Sequence, residues 1–222
     1  MIGVLGGTFD PIHCGHLRVA LDVQQALALD EVRLLPLNQA VHRPQPIATV
    51  EQRLAMIRAA IAEEPHLVLD DRELRRGGRS YTVETLESLR AELGPTSSIC
   101  LLVGADAFNA FLDWHRPMDI LQLAHLVVMQ RPRAEMPRSS ALRAELLARS
   151  CDSVQDLREQ PAGRIWMESV TQLDISATRI RRLCHQGGSL RCLTPAPVVA
   201  LIQRHHLYQA SQAPTANPAD TA

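Results

Sequence analysis

Ile2-Gly3-Val4-Leu5-Gly6-Gly7-Thr8-Phe9-Asp10-Pro11-Ile12-His13-Cys14-Gly15-His16-Leu17 is the stretch that decides the fold of this chain. A short apolar strand, Ile2 to Leu5, runs straight into a pair of glycines that let the backbone turn and approach a ligand closely. A helix beginning near Gly15 then points its positive end, with free N–H groups, back at the turn, where an anion is favoured. Strand, glycine turn and helix in this order form a phosphate-handling layout. His13 precedes the helix and His16 opens it, so the two rings flank a ligand rather than share a helical face. A zinc site is the alternative, but no neighbouring Cys, His or carboxylate spacing supplies a third ligand.

Beyond this segment, short apolar runs alternate with helical patterns. Val32 to Pro36, Leu67 to Leu69, Ile99 to Val103, Leu126 to Met129 and Ile165 to Met167 read as strands. Gly15 to Ala28, Val50 to Glu63, Val83 to Leu93 and Ala141 to Arg149 read as helices, and Thr49 with Gln52 forms a capping box before the second. The alternation predicts an α/β fold with a mostly parallel sheet, helices on both faces and ligands at the carboxyl ends of the strands. One domain is expected over residues 1–208, with 209–222, aperiodic and rich in Ala, Pro, Ser and Thr, as a disordered tail. Arg131 to Ser140 reads as a surface loop, Arg72 to Arg79 with Gly77-Gly78 as a solvated turn, and His205-His206 as exposed.

Composition narrows the function. The chain has 222 residues, 46% of them hydrophobic, enough to bury a full core. A net charge of -1 and 3% aromatic content argue against general nucleic-acid binding. No apolar run approaches the roughly 20 residues of a membrane span, and no basic leader opens the sequence. Five cysteines without a CxxC pair suggest neither a disulfide framework nor a cysteine zinc site, and point to the cytoplasm. All 23 basic residues are arginine, which excludes a GxxxxGK[ST] loop and lysine Schiff-base chemistry. A phosphate clamp here must be built from Arg, His and backbone.

A second motif, Ile175-Ser176-Ala177-Thr178-Arg179-Ile180-Arg181, offers an N-cap serine, a threonine and arginines at a helix start. Together the two motifs resemble the nucleotidylyltransferase superfamily, with its HxGH and ISxTxIR elements and Rossmann-like fold. The closer resemblance is to the bacterial nicotinate-nucleotide adenylyltransferase family. GGTFDPIHxGHL, the Pro36 to Arg43 segment, Ser80-Tyr81-Thr82, Gly104-Ala105-Asp106, Trp114, Arg131-Pro132 and ISATRIR stand in that family's order, from about Gly3 to Tyr208. Ala40 and Val41 replace its usual prolines, and Ala177 a frequent serine.

This resemblance implies that His13 and His16 meet the ATP phosphates and the transition state, with Gly7, Thr8 and Phe9 near the nucleotide. It implies Gly104 and Asp106 at the nucleotide, Asp106 on the ribose, and Ser176, Thr178 and Arg181 on the triphosphate. Arg43 and Arg181 join the histidines as catalytic cations. On the acceptor side, Trp114 is expected to stack on a pyridine ring, backbone amides near Thr82 and Trp114 to hold its carboxylate, and Asn38, His42 and Arg131 to line the mononucleotide. The implied reaction transfers AMP from ATP to nicotinate mononucleotide by in-line attack of the acceptor phosphate, with Mg²⁺ carried mainly on the ATP phosphates. Neither Asp10 nor Asp106 is needed as a base. A nicotinamide mononucleotide or phosphopantetheine acceptor, or a non-catalytic nucleotide-binding regulator, stays open as an alternative.

Overall fold

The structure is a computed structural model that describes residues 1–39, 45–130, 137 and 139–209. The chain runs through β1 (Ile2–Gly7), α1 (Cys14–Leu27), β2 (Glu31–Pro36), α2 (Val50–Ala60) and β3 (Leu67–Leu69). Next, α3 (Arg72–Arg76) and α4 (Thr82–Leu93) lead to β4 (Ile99–Gly104). After it, α5 (Ala105–Asn109), a 3₁₀ turn (Phe111–Asp113) and α6 (Pro117–Leu123) lead to β5 (His125–Gln130). Last come α7 (Ser140–Arg149), α8 (Val154–Glu159), β6 (Ile165–Ser169), α9 (Ala177–His185) and α10 (Ala196–Arg204).

Among the described residues, six strands form one all-parallel sheet in the order β3-β2-β1-β4-β5-β6. Both faces are buried, as parallel sheets require. Side chains alternate along each strand, so Leu5, Val32, Leu34, Cys100, Leu102, Val127 and Met129 enter one core with the inner residues of α1, α2, α9 and α10. Their neighbours Val4, Leu35, Ile99, Leu101, Val103, Leu126 and Val128 enter the other, beneath α4, α6 and α7. The chain winds outward from β1 to β3, returns to β4 and winds the other way. Helices change face at that return because parallel crossovers keep one hand.

The capping box forms as expected, with Thr49 accepting from the Gln52 N–H at 3.3 Å and Gln52 accepting from the Thr49 N–H at 2.9 Å. α2 nevertheless stops at Ala60, short of Glu63. The basic run is not a solvated turn. Its first part is α3, and Arg72 is buried because the Asp70 carboxylate lies 2.7 Å away and Glu92 of α4 closes on the same guanidinium. Only Gly77 and Gly78, at φ of 73° and 71°, turn there. His205 and His206 are exposed as expected. Cys192 is exposed too. Residues 210–222, expected to be a tail, lie outside the described residues. No described helix is long and apolar enough to cross a membrane.

His125, at the start of β5, is completely buried, and its Nδ1 accepts from the Arg164 N–H at 3.0 Å. The proton therefore sits on Nε2, donated to the Gln160 carbonyl at 2.9 Å. Burial lowers the pKa of this ring, so its stabilisation is complete above the unfolded value, about 6.5, and is lost as pH falls through the lower folded value. Thermal melts should show wild-type Tm falling below about pH 6.5. His125→Phe should be less stable at pH 7 by about 1 kcal/mol, since it removes two part-buried hydrogen bonds to backbone, and should show a shallower acid slope.

Candidate active site

β1 pairs with β2 along its whole length, to Gly7 opposite Pro36, but with β4 only as far as Val4 opposite Leu101. β4 continues beside β5 to Gly104. The last three residues of β1 and β4 therefore part, and they part at the one place where strand order reverses. Outside the carboxyl ends at such a switch point an α/β sheet has room for a ligand. Gly6 and Gly7, expected to form a turn, are instead the last paired residues of β1, and the chain turns after them at Phe9. This end of β1 opens onto the gap from one side and Gly104 with the start of α5 from the other.

Gly7 is needed because a Cβ there would lie 2.9 Å from the Phe9 ring. Phe9 itself is buried in a left-handed conformation, φ 47°, and sets its ring edge-on to His16 with centroids 5.0 Å apart. His13 is the N-cap of α1 and stacks on His16, with centroids 3.6 Å apart and planes 20° from parallel. A side chain at Gly15 would bring its Cβ to 3.0 Å from the His13 Nδ1. The motif glycine thus makes room for a ring, a different need from a turn. His13 is buried, with its Nδ1 unpartnered, and burial pulls its pKa down to about 4. The ring is neutral at pH 7 and acquires charge only when an anion offsets the missing solvent.

The helix start is less open than the sequence suggests. The Cys14 N–H is engaged by the Leu193 carbonyl at 2.9 Å and the His16 N–H by the His13 carbonyl at 2.9 Å. These two amides are therefore already engaged within the chain. The second motif does reach the first: the Ile175 carbonyl lies 3.6 Å from the Gly15 Cβ position, so the starts of α9 and α1 adjoin. Ser176 caps α9 by accepting from the Arg179 N–H at 3.2 Å. Arg181, one turn in, donates to the Asp10 carbonyl at 2.7 Å and to the Thr178 hydroxyl at 3.4 Å.

Two buried charges support the turn and were not singled out as site residues by sequence. Asp10 is a hub, accepting from the Ile47 N–H at 2.8 Å and the Ala48 N–H at 3.1 Å. Arg53 of α2 is also buried and donates to the Thr8 carbonyl at 2.9 Å. Burial pulls the Arg53 pKa down while the charges of Asp10 and Tyr208 hold it up. One signal for Arg53 was present, because it shares the core-facing i, i+3, i+4 stripe of α2 with Met56 and Ile57.

A cytidylyltransferase-like family model matches residues 4–183, most of the chain. The chain belongs to the cytidylyltransferase-like family. It is 48% identical over 209 residues to a protein of Pseudomonas syringae pv. tomato named "Probable nicotinate-nucleotide adenylyltransferase", covering 94% of each chain. A Methylococcus capsulatus protein of the same name is 46% identical over 209 residues, 94% of this chain and 99% of its own. Plasmodium falciparum nicotinic acid mononucleotide adenylyltransferase, solved in complex with NaAD, superposes with a TM-score of 0.71 at 15% identity, over 93% of this chain and 96% of its own. At that identity the likeness concerns the fold, and the shared fold is this Rossmann-like parallel sheet.

Within this cytidylyltransferase-like fold the acceptor-side residues divide. Thr82 opens α4, and Trp114 is half-buried against Phe111 with centroids 5.7 Å apart. The two segments meet through the Tyr81 and His115 rings, 4.6 Å apart. Asp106 is exposed in the first turn of α5, beside Gly104. Asn38 donates from its side-chain amide to the Gly78 carbonyl at 2.9 Å and from its backbone N–H to the Ser80 hydroxyl at 3.0 Å, which ties the chain after β2 to the 78–80 turn. His42, Arg43 and Arg131 lie outside the described residues.

Gly15→Ala separates ring placement from stability. Alanine favours a helix by up to about 1 kcal/mol over glycine, so Tm should hold or rise. The new Cβ should push His13 off its stack and lower turnover on the order of tenfold or more, measured by steady-state kinetics beside a thermal melt.

Proposed function

We propose that this chain transfers AMP from ATP to nicotinate mononucleotide, giving nicotinate adenine dinucleotide and pyrophosphate, as a step in NAD biosynthesis. The observation that carries the reading is the stacked His13–His16 pair at the parted ends of β1 and β4, with the ISATRIR helix start against it. Relatives at 46 to 48% identity over nearly the whole chain carry the matching name. An acceptor with a ring and a carboxylate suits the Trp114 and Thr82 segments, which the Tyr81–His115 contact holds together.

The chemistry asks little of a base. The acceptor phosphate is ionised at neutral pH and attacks the ATP α-phosphorus in line as pyrophosphate leaves. His13 and His16 donate to the triphosphate and gain strength as negative charge collects on the departing oxygens. Arg181 adds fixed positive charge from α9, and Ser176 and Thr178 hold the turn it stands on. Asp10 needs no role as a base, and its carboxylate is already occupied as an acceptor by the Ile47 and Ala48 N–H groups and the Tyr208 hydroxyl. Among the described residues no cluster of three or more His, Cys, Asp or Glu could cage a metal ion. These residues fit Mg²⁺ arriving on the ATP phosphates, where the ion would neutralise charge. The free cysteines suit a reducing compartment such as the cytoplasm.

Pyrophosphate release from ATP with nicotinate mononucleotide, nicotinamide mononucleotide and phosphopantetheine, run side by side, tests this reading. The nicotinate compound should give the highest kcat/KM, and His16→Ala should nearly abolish turnover with little change in Tm. A preference for phosphopantetheine, or ATP binding without release from any acceptor, would overturn it.

A further inference from the structure

The chain after α10 does something that packing alone does not require. His206 and Tyr208 both take left-handed backbone conformations, φ 50° and 60°, which non-glycine residues avoid. These bends carry the Tyr208 side chain back to the turn after β1, where its hydroxyl donates to the Asp10 Oδ1 at 2.6 Å across 198 residues of sequence. Strained backbone persists only where the surroundings hold it, and here the holding contact ends at the site.

Asp10 receives three distant segments at once. Tyr208 and the Ala48 N–H meet its Oδ1, the Ile47 N–H meets its Oδ2, and the Arg181 guanidinium bonds its carbonyl at 2.7 Å and lies 3.8 Å from its Oδ2. Arg181 therefore cannot move without Asp10, and the Asp10 carboxylate cannot rotate without breaking the Tyr208 contact. We propose that Tyr208 is a positioning residue for adenylyl transfer, fixing Asp10 and through it both Arg181 and the turn that leads to His13. Its ring packs among the partly buried residues around the first core, and its hydroxyl carries this second task. The role rests on the adenylyl-transfer reading above.

The test is a double-mutant cycle on the full chain, with kcat and KM measured by pyrophosphate release from ATP and nicotinate mononucleotide. Tyr208→Phe keeps the ring and removes only the donor. It should lower kcat on the order of tenfold and change KM for the mononucleotide little, because loss of a hydrogen bond to a charged group loosens Asp10 without emptying the acceptor site. Combined with Arg181→Gln, it should add no further loss, since both changes act through one contact chain. Leu207→Ala, which trims a buried apolar neighbour in the same segment, should lower Tm yet retain kcat. Wild-type kcat in Tyr208→Phe, multiplied losses in the double variant, or an equal kcat loss in Leu207→Ala would each overturn the role. A wild-type protein that releases no pyrophosphate would overturn the reaction itself, so the two failures are distinguishable.

Discussion

The parting of β1 from β4 after the Val4–Leu101 pair is the constraint from which the rest of the site follows. Up to that pair the two strands are neighbours in a sheet buried on both faces. Beyond it, β1 stays with β2 and β4 stays with β5, so a gap opens at the carboxyl edge where helices change face. Backbone polar groups on its walls need partners. The Gly7 carbonyl is met by the Leu37 N–H at 3.0 Å and the Thr8 carbonyl by Arg53. What is left facing the gap is a pair of imidazoles and the starts of two helices.

Charge is arranged in layers around it. Asp10 and Arg53 are buried and hold the turn from below, where an unpaired ion would be costly. Arg181 is partly exposed and reaches back to that layer. On the proposed reading, His13 and His16 are the side chains that meet phosphate. With no lysine in the chain, every fixed side-chain cation is a planar guanidinium, which suits bidentate contact with phosphate oxygens.

Much of this was legible in the sequence because it is local. The strand-then-helix order of Ile2 to Leu17, the alternation of apolar runs and the Thr49 capping box each sit within a few residues, and each is found, though Gly6 and Gly7 end β1 and the turn falls at Phe9. What escaped the sequence is non-local. Arg72 is buried because Glu92 of α4 joins Asp70 on its guanidinium, so part of a charged run that looks solvated becomes the start of α3. The contact of Asn38 with the 78–80 turn joins segments 40 residues apart. Tyr208 finds Asp10 across almost the whole chain, and no periodicity encodes that contact. The short helices α3, α5 and α8 hold too few residues for a periodic pattern to declare itself.

On the proposed reading, the buried, neutral His13 imidazole becomes the charge-bearing half of a triphosphate clamp. NMR titration of the His13 ring, with and without a non-hydrolysable ATP analogue, tests it most directly. Free protein should titrate at about 4, as burial dictates, and the analogue should raise that value because phosphate charge favours the protonated ring. A His13 titration unmoved by the saturating analogue would contradict the account.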